Sequence, residues 1–250
     1  MRVSSLNGIP LKTAWLILAK LYIALFIFSS TLFLLFITPV LQPGLWSYAL
    51  SCVVIITYML TAQSENFQIK TRTQVQPLLL MLAIVMPLAL FVVRDILLKL
   101  IPLPSFAPIS FATVQADSVA AIIGSSLLLP ILEEILFRGI ILEALLKTNP
   151  SSRALLQTTI IYAIATLNPA FIIPKFLLGL LCGFFYLRTR ELCYPIVAHV
   201  IYNMAVVAML ASGNDGLAEA LNSEMLYFLL ILAACMLLPP AYYLLQRAKN

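Results

Sequence analysis

The stretch LPILEEILFRG, residues 129–139, holds Glu133, Glu134 and Arg138 inside an otherwise apolar run. A charged side chain at the bilayer centre costs roughly 2.5–3.5 kcal/mol on insertion scales, so three so close together need partners or a use. Glu134 and Arg138 are four residues apart with the acid first, the order and spacing that pair them along one helix face. Glu133 is turned ~100° from Glu134 about the helix axis. It shares that arginine less easily and points elsewhere into the bundle. A second polar pair follows in HVIYN, residues 199–203: His199, the chain's one histidine, and Asn203 a turn later on the same face. A carboxylate can take a proton from water. An imidazole and a carboxamide can donate to an oxyanion. The plain structural reading of the same residues is an ion pair, a satisfied buried acid and a histidine bridging helices.

The elements that must position these groups are apolar throughout. The 250 residues are 62% hydrophobic and 10% charged, against about half and a quarter in soluble domains. The chain is therefore read as an integral membrane protein, and one all-α bundle spanning 1–250 accounts for its whole length. Eight apolar segments follow at about 14–37, 45–62, 78–98, 118–146, 154–167, 171–187, 192–211 and 225–245. A spanning helix needs ~20 apolar residues, so the fifth and sixth are short. Pro169 and Pro174 are expected to break the helix between them, and Pro130 to kink the fourth just before the glutamates. With ~1.5 Å of rise per residue, Asn203 and Glu133 reach similar depths, with His199 nearer the cytoplasmic end. Gly179 and Gly183 form a small-xxx-small face suited to close helix packing.

Orientation follows from the basic residues. With the amino terminus inside and strict alternation, the inner stretches hold Arg2, Lys12, Lys70, Arg72, Lys147, Arg153, Arg188, Arg190, Arg247 and Lys249. The outer loops hold Lys99, with Asp117, Asp215, Glu219 and Glu224. That asymmetry puts both termini in the cytoplasm. Lys20, Arg94, Arg138 and Lys175 fall within or at the edges of apolar segments and take no part in the count. The formal charge of +5 reflects these loops rather than nucleic acid. Cys52, Cys182, Cys193 and Cys235 lack CxxC or CxH spacing and read as packing or lipid-facing residues. One histidine without HExxH is a poor zinc set, and neither a metal nor another cofactor is expected.

EEILFRG, the Gly179/Gly183 segment, RTREL and HVIYN, in this order, resemble the CPBP family of intramembrane proteases, which contains CAAX prenyl proteases and bacteriocin-processing or immunity-type proteins. The similarity covers about 125–207, within a core of about 118–211. The resemblance implies an eight-helix bundle, in agreement with the segment count. It also implies roles. Glu133 matches the family glutamate that activates a water, Glu134 and Arg138 its orienting pair, and His199 and Asn203 the pair that stabilises the oxyanion. The family's FxxxH motif corresponds to YAIATLNP, 162–169, with Tyr162 at the aromatic and Thr166 at the expected histidine; a slipped register puts Asn168 there. A threonine can hold a water by hydrogen bonds but is a poor base.

Two readings of different class follow. One is a glutamate-dependent intramembrane endopeptidase acting on membrane-associated or lipidated peptides, in a bacterial inner membrane. The other is a CPBP-like pseudoprotease that binds membrane peptides or partner proteins, with an immunity or regulatory role. A transporter is disfavoured by the absence of detectable inverted repeats. The orientation can be checked by labelling from outside with a membrane-impermeant thiol reagent. A cysteine introduced at Asp215 should react and one at Lys249 should not. Reaction at both sites would overturn the eight-segment arrangement.

Overall fold

The computed structural model describes residues 2–3, 10–35, 43–62, 69–70, 75–104, 118–213 and 216–247. Arg72, Asp117, Asp215 and Lys249, used in the orientation count, lie outside the described residues. Nine helices occur among the described residues. They are α1 (Leu11–Leu35), α2 (Pro43–Ala62), α3 (Pro77–Leu100), α4 (Val119–Leu145), α5 (Ser151–Ile164), α6 (Pro169–Thr189), α7 (Cys193–Ala211), the short α8 (Leu217–Leu221) and α9 (Glu224–Arg247). One antiparallel bridge pairs Arg2–Val3 with Ile69–Lys70.

All eight expected segments are helical, but seven helices are long and apolar enough to cross a membrane by length and composition. The exception is α5. Its 14 residues rise about 21 Å, short of the ~30 Å hydrocarbon thickness. Arg190 Nη1 contacts Glu143 Oε2 at 3.1 Å, which holds the carboxyl ends of α4 and α6 at one level. Residues 146–168 must therefore return across, α5 covering most of the way and Ala165–Asn168 the rest. That crossing is broken where the helix stops, with Leu167 in the left-handed region at φ 51°. Pro169 does not break a helix but starts one, at the first turn of α6 behind the Asn168 cap. Pro174 lies inside α6 without ending it, a correction to the sequence expectation. It stands one turn into the helix, where the single bond it removes, to Ala170, is tolerable among packed neighbours.

The course of α4 is not uniform. Gly124–Leu128 and Ile135–Leu142 are π-helical, and the six α-helical residues between them, Leu129–Glu134, carry both glutamates. Such widened turns recur at functional sites. Pro130 has no N–H, and the Leu129 N–H reaches back to Gly124 O, one residue further than an α-helix would take it. Neither of those two residues then serves the Ser125 carbonyl, and Asn203 Nδ2 of α7 donates to it at 2.9 Å. A proline in α4 thus creates a polar clasp to α7.

Two large apolar clusters fill most of the bundle, beside a small one of Ala89, Val92 and Ala234 between α3 and α9. One is built from α1, α2, α4 and α5 around Tyr48, Phe137, Ile140 and Leu142. The other is built from α3, α6, α7 and α9 around Leu82, Leu178, Phe185 and Tyr202. The charges of α4 lie on the seam between them. Helices α5 and α6 close against each other through Gly179 and Gly183. A Cβ at Gly179 would lie 3.0 Å from both Thr159 Cγ2 and Tyr162 Cδ1, and one at Gly183 would lie 2.3 Å from the flexible tip of Leu155. The small-residue face is used for packing. Gly179→Val should destabilise the protein by about 1–3 kcal/mol, as overpacking does. It should lower the melting temperature measured in detergent more than Gly183→Ala, because Leu155 can turn aside. Equal melting temperatures for Gly179→Val and wild type would refute the close packing.

Candidate active site

Glu134 and Arg138 pair as their spacing requires. Arg138 Nη1 donates to Glu134 Oε1 at 2.7 Å, and both side chains are essentially sealed from the surface. Arg138 Nη2 donates to the Gly179 carbonyl at 3.1 Å, tying α4 to α6. His199 Nδ1 lies 2.7 Å from the same Glu134 oxygen. A carboxylate accepts only, so Nδ1 carries a proton and Nε2 faces the other glutamate.

Four helices converge on the Glu133 carboxylate. Tyr48 Oη of α2 donates to Oε1 at 3.1 Å. Tyr162 Oη of α5 and Lys175 Nζ of α6 each reach Oε2 at 3.2 Å. His199 Nε2 of α7 stands 3.5 Å from that oxygen. Lys175 Nζ also donates to Tyr162 Oη at 3.0 Å, and Tyr162 Oη lies 3.3 Å from His199 Nε2. With a neutral imidazole, Glu133 and Glu134 balance Lys175 and Arg138, and the cluster carries no net charge. Lys175 is 12% exposed against 3% for Glu133, which makes it the group at the mouth of the cluster.

Of the residues singled out in the sequence, Glu133, Glu134, Arg138 and His199 are brought together. Asn203 is buried on the same helix face but is engaged with the Ser125 carbonyl. Thr166 is not joined to Glu133 by any described contact. Its hydroxyl donates to Asn168 O at 3.3 Å and accepts from Asn168 N–H at 3.2 Å, closing the turn ahead of α6. Asn168, the slipped-register candidate, caps α6 by accepting from Ala170 N–H at 3.2 Å. The groups beside Glu133 that the sequence reading missed are Tyr48 and Lys175, while Tyr162, placed there at the motif's aromatic position, was given no contact with Glu133. A lysine inside an apolar run was the available signal for one of them, since such a charge needs a counter-charge.

Glu134, Cys182 and His199 offer ligand atoms within 4.8 Å of one another, a three-residue grouping among the described residues that could hold a metal. The set fits a divalent ion poorly. Glu134 Oε1 already receives the Arg138 guanidinium at 2.7 Å, and that charge opposes a second cation. Cys52 and Cys182 are buried, and all four cysteines are free.

Residues 115–205 match the model of a protein family described as "Type II CAAX prenyl endopeptidase Rce1-like". The match contains every motif named above. A curated relative, "Putative membrane peptidase YdiL" of Bacillus subtilis (strain 168), is 38% identical over 88 residues. That stretch covers 35% of this chain and 36% of the relative, so the chain spans about a third of that protein's length. No solved structure matches.

The two glutamates should respond differently to substitution. Arg138→Ala strands Glu134 in a dry site, and breaking such a pair typically costs ~3–5 kcal/mol. Glu133→Gln keeps the shape and one of the two acceptor oxygens. Thermal melting of the purified variants should show the larger loss for Arg138→Ala. Equal losses would contradict this division of roles.

Proposed function

We propose that this chain, whose residues 115–205 match the Rce1-like CAAX prenyl endopeptidase family model, is a glutamate-dependent intramembrane endopeptidase of the CPBP type acting on membrane-associated or lipidated peptides. The observation that carries the reading is the convergence of four helices on one buried carboxylate, with three proton donors, Tyr48, Tyr162 and Lys175, on its oxygens and His199 beside it. Burying that set for packing alone would be expensive in a bilayer. Glu133 takes a proton from a water whose oxygen attacks the peptide carbonyl. The C–O bond forms as the carbonyl π bond becomes an oxyanion. Lys175 Nζ and Tyr162 Oη, the donors nearest Glu133 Oε2, stabilise that charge. The C–N bond then breaks, and the proton held by Glu133 passes to the departing amine. Glu134 holds His199 by Nδ1, and Arg138 holds Glu134 in place. In this reading Tyr162 and Lys175 serve where the family pattern has a histidine, and Thr166 shapes the turn. The basic residues of the inner stretches put both termini in the cytoplasm, and a bacterial inner membrane is consistent with a relative from Bacillus.

One observation favours the alternative of a protein that binds without cutting. Both oxygens of Glu133 are already occupied by the protein's own donors, Oε1 by Tyr48 and Oε2 by Tyr162 and Lys175. Turnover of an acylated transmembrane peptide by the protein in liposomes separates the two. The endopeptidase reading expects Glu133→Ala to fall to background. Lys175→Met and Tyr162→Phe should each lose about 10²–10⁴ in rate, the range for a proton-transfer partner. Thr166→Ala should retain most of the activity. No cleavage by wild type, with a cellular phenotype that survives Glu133→Ala, would favour the binding role.

A further inference from the structure

The carboxyl ends of α6 and α9 lie side by side. Arg188, one residue short of the end of α6, donates from Nε to the Leu245 carbonyl of α9 at 3.3 Å. That carbonyl is among the last four of α9, which a helix leaves unpaired from within. Beside this tie the two helices leave a cavity of about 430 Å³, lined by Phe184, Arg188, Tyr243, Gln246 and Arg247. Its volume falls in the ~300–1,000 Å³ range of small-ligand sites.

Helical spacing explains the lining. Phe184 and Arg188 are four residues apart on one face of α6, and Tyr243, Gln246 and Arg247 share one face of α9. Tyr186 and Arg190, two residues on from each of the α6 pair, face α4 instead, and both bond to Glu143 Oε2. That acid is therefore engaged on another side of α6, and the five lining residues include no carboxylate. Phe184 stacks on Tyr242 with ring centroids 4.8 Å apart, bracing the two helices. Arg247 Cζ lies 4.4 Å from the Tyr243 ring centroid, a cation–π contact that holds its guanidinium at the cavity wall.

Two guanidiniums without an acid select a net negative ligand. A helix carboxyl end carries partial negative charge, so the helices oppose an anion and the attraction must come from the arginines. Guanidinium forks match phosphate oxygens in geometry as well as charge. The level of the cavity names the source of that phosphate. Arg247 is the last residue of one membrane-length helix and Arg188 the last but one of another, which puts both at headgroup level. Tyr242 and Tyr243 are exposed there, as interfacial aromatic residues are. Leu232 and Met236 continue the Tyr243 face along α9 and are exposed, an apolar track for acyl chains.

We propose that the cavity between the carboxyl ends of α6 and α9 binds the phosphate of an anionic phospholipid. Phosphatidylglycerol fits, because its headgroup hydroxyls suit the Gln246 carboxamide. A zwitterionic headgroup brings a cationic ammonium that meets two guanidiniums and no carboxylate, and is disfavoured. Basic pockets between membrane helices on the cytoplasmic side take anionic lipids in this way. The lipid bridges α6 to α9, a helix whose buried residues are Ala234, Ala241 and Leu245 alone among the described ones. Arg188 and Lys175 are thirteen residues apart along α6, ~20 Å, so the site does not depend on peptide cleavage at Glu133.

Native mass spectrometry of the full chain in detergent tests this, with phosphatidylglycerol, phosphatidylcholine or inorganic phosphate added. Wild type should retain one phosphatidylglycerol at a lipid concentration about tenfold or more below that needed for phosphatidylcholine. Combining Arg188→Gln with Arg247→Gln should bring the two lipids level. Combining Arg188→Lys with Arg247→Lys should keep part of the preference, since the charge remains without the fork. Arg247→Gln alone, at an exposed position, should lose part of it, so the outcome does not hang on the folding of the double variant. Arg153→Gln removes an exposed basic residue at the start of α5, outside the cavity lining, and should change nothing. Equal retention of both lipids by wild type, retention of neither, or a loss in Arg153→Gln as large as in the double variant overturns the site. Displacement of the lipid by millimolar inorganic phosphate would assign the cavity to free phosphate and overturn the lipid.

Discussion

Mutual neutralisation in a dry seam is the interaction on which this fold depends. Glu133 and Glu134 cannot sit buried as bare charges, and the bundle answers with Arg138 from the same helix and Lys175 from another. Those two pairs differ in kind. The Glu134–Arg138 pair is sealed and local, and it fixes His199 through Nδ1. The Glu133–Lys175 pair is long-range and lies nearer the surface, and it can be opened by anything that competes for the lysine. A fixed pair beside an openable one suits the proposed endopeptidase, in which one acid holds geometry and the other exchanges a proton.

Pro130 withholds a backbone donor beside the first widened turn of α4, Gly124–Leu128, and the Ser125 carbonyl is met by Asn203. The bend expected at Pro130 from the sequence is thus expressed as a widened turn with a cross-helix clasp. The same carboxamide is the residue that family resemblance assigns to the oxyanion. Its donation to Ser125 gives it a second duty, fixing α7 against α4 so that His199 meets both glutamates.

How much could be read beforehand depended on distance along the chain. The apolar segments and the Glu134–Arg138 contact are local patterns, set by hydrophobic length and by four-residue spacing, and both appear in the structure. The Tyr48–Glu133 contact joins residues 85 apart, and the Lys175–Glu133 pair joins residues 42 apart, so no local period announces either. Thr166 was placed at the site by motif alignment. The structure gives it to a turn because a hydroxyl two residues ahead of a helix cap has backbone partners at hand. Lys175 was set aside in the charge count as an awkward charge in an apolar run, and that awkwardness was itself the signal. The π-helical turns left no trace in the hydrophobic pattern, since every face of α4 is apolar enough to hide a shift of register.

The separation of Glu133 from its counter-charge also bears on how the protein is made. Synthesis runs from the amino end, so α4 reaches the membrane ahead of Lys175. At roughly 5–20 residues per second the 42 residues between Glu133 and Lys175 amount to a lag of several seconds. During that interval Arg138 can neutralise Glu134 within the nascent helix, but Glu133 has no such companion. Helix α4 therefore gains nothing from early release into lipid and is best retained at the insertion machinery until α5 and α6 arrive. The short α5, too brief to span alone, suits the same order of events. The three helices are in this sense a unit of biogenesis, inserted together because one acid waits for a lysine 42 residues downstream.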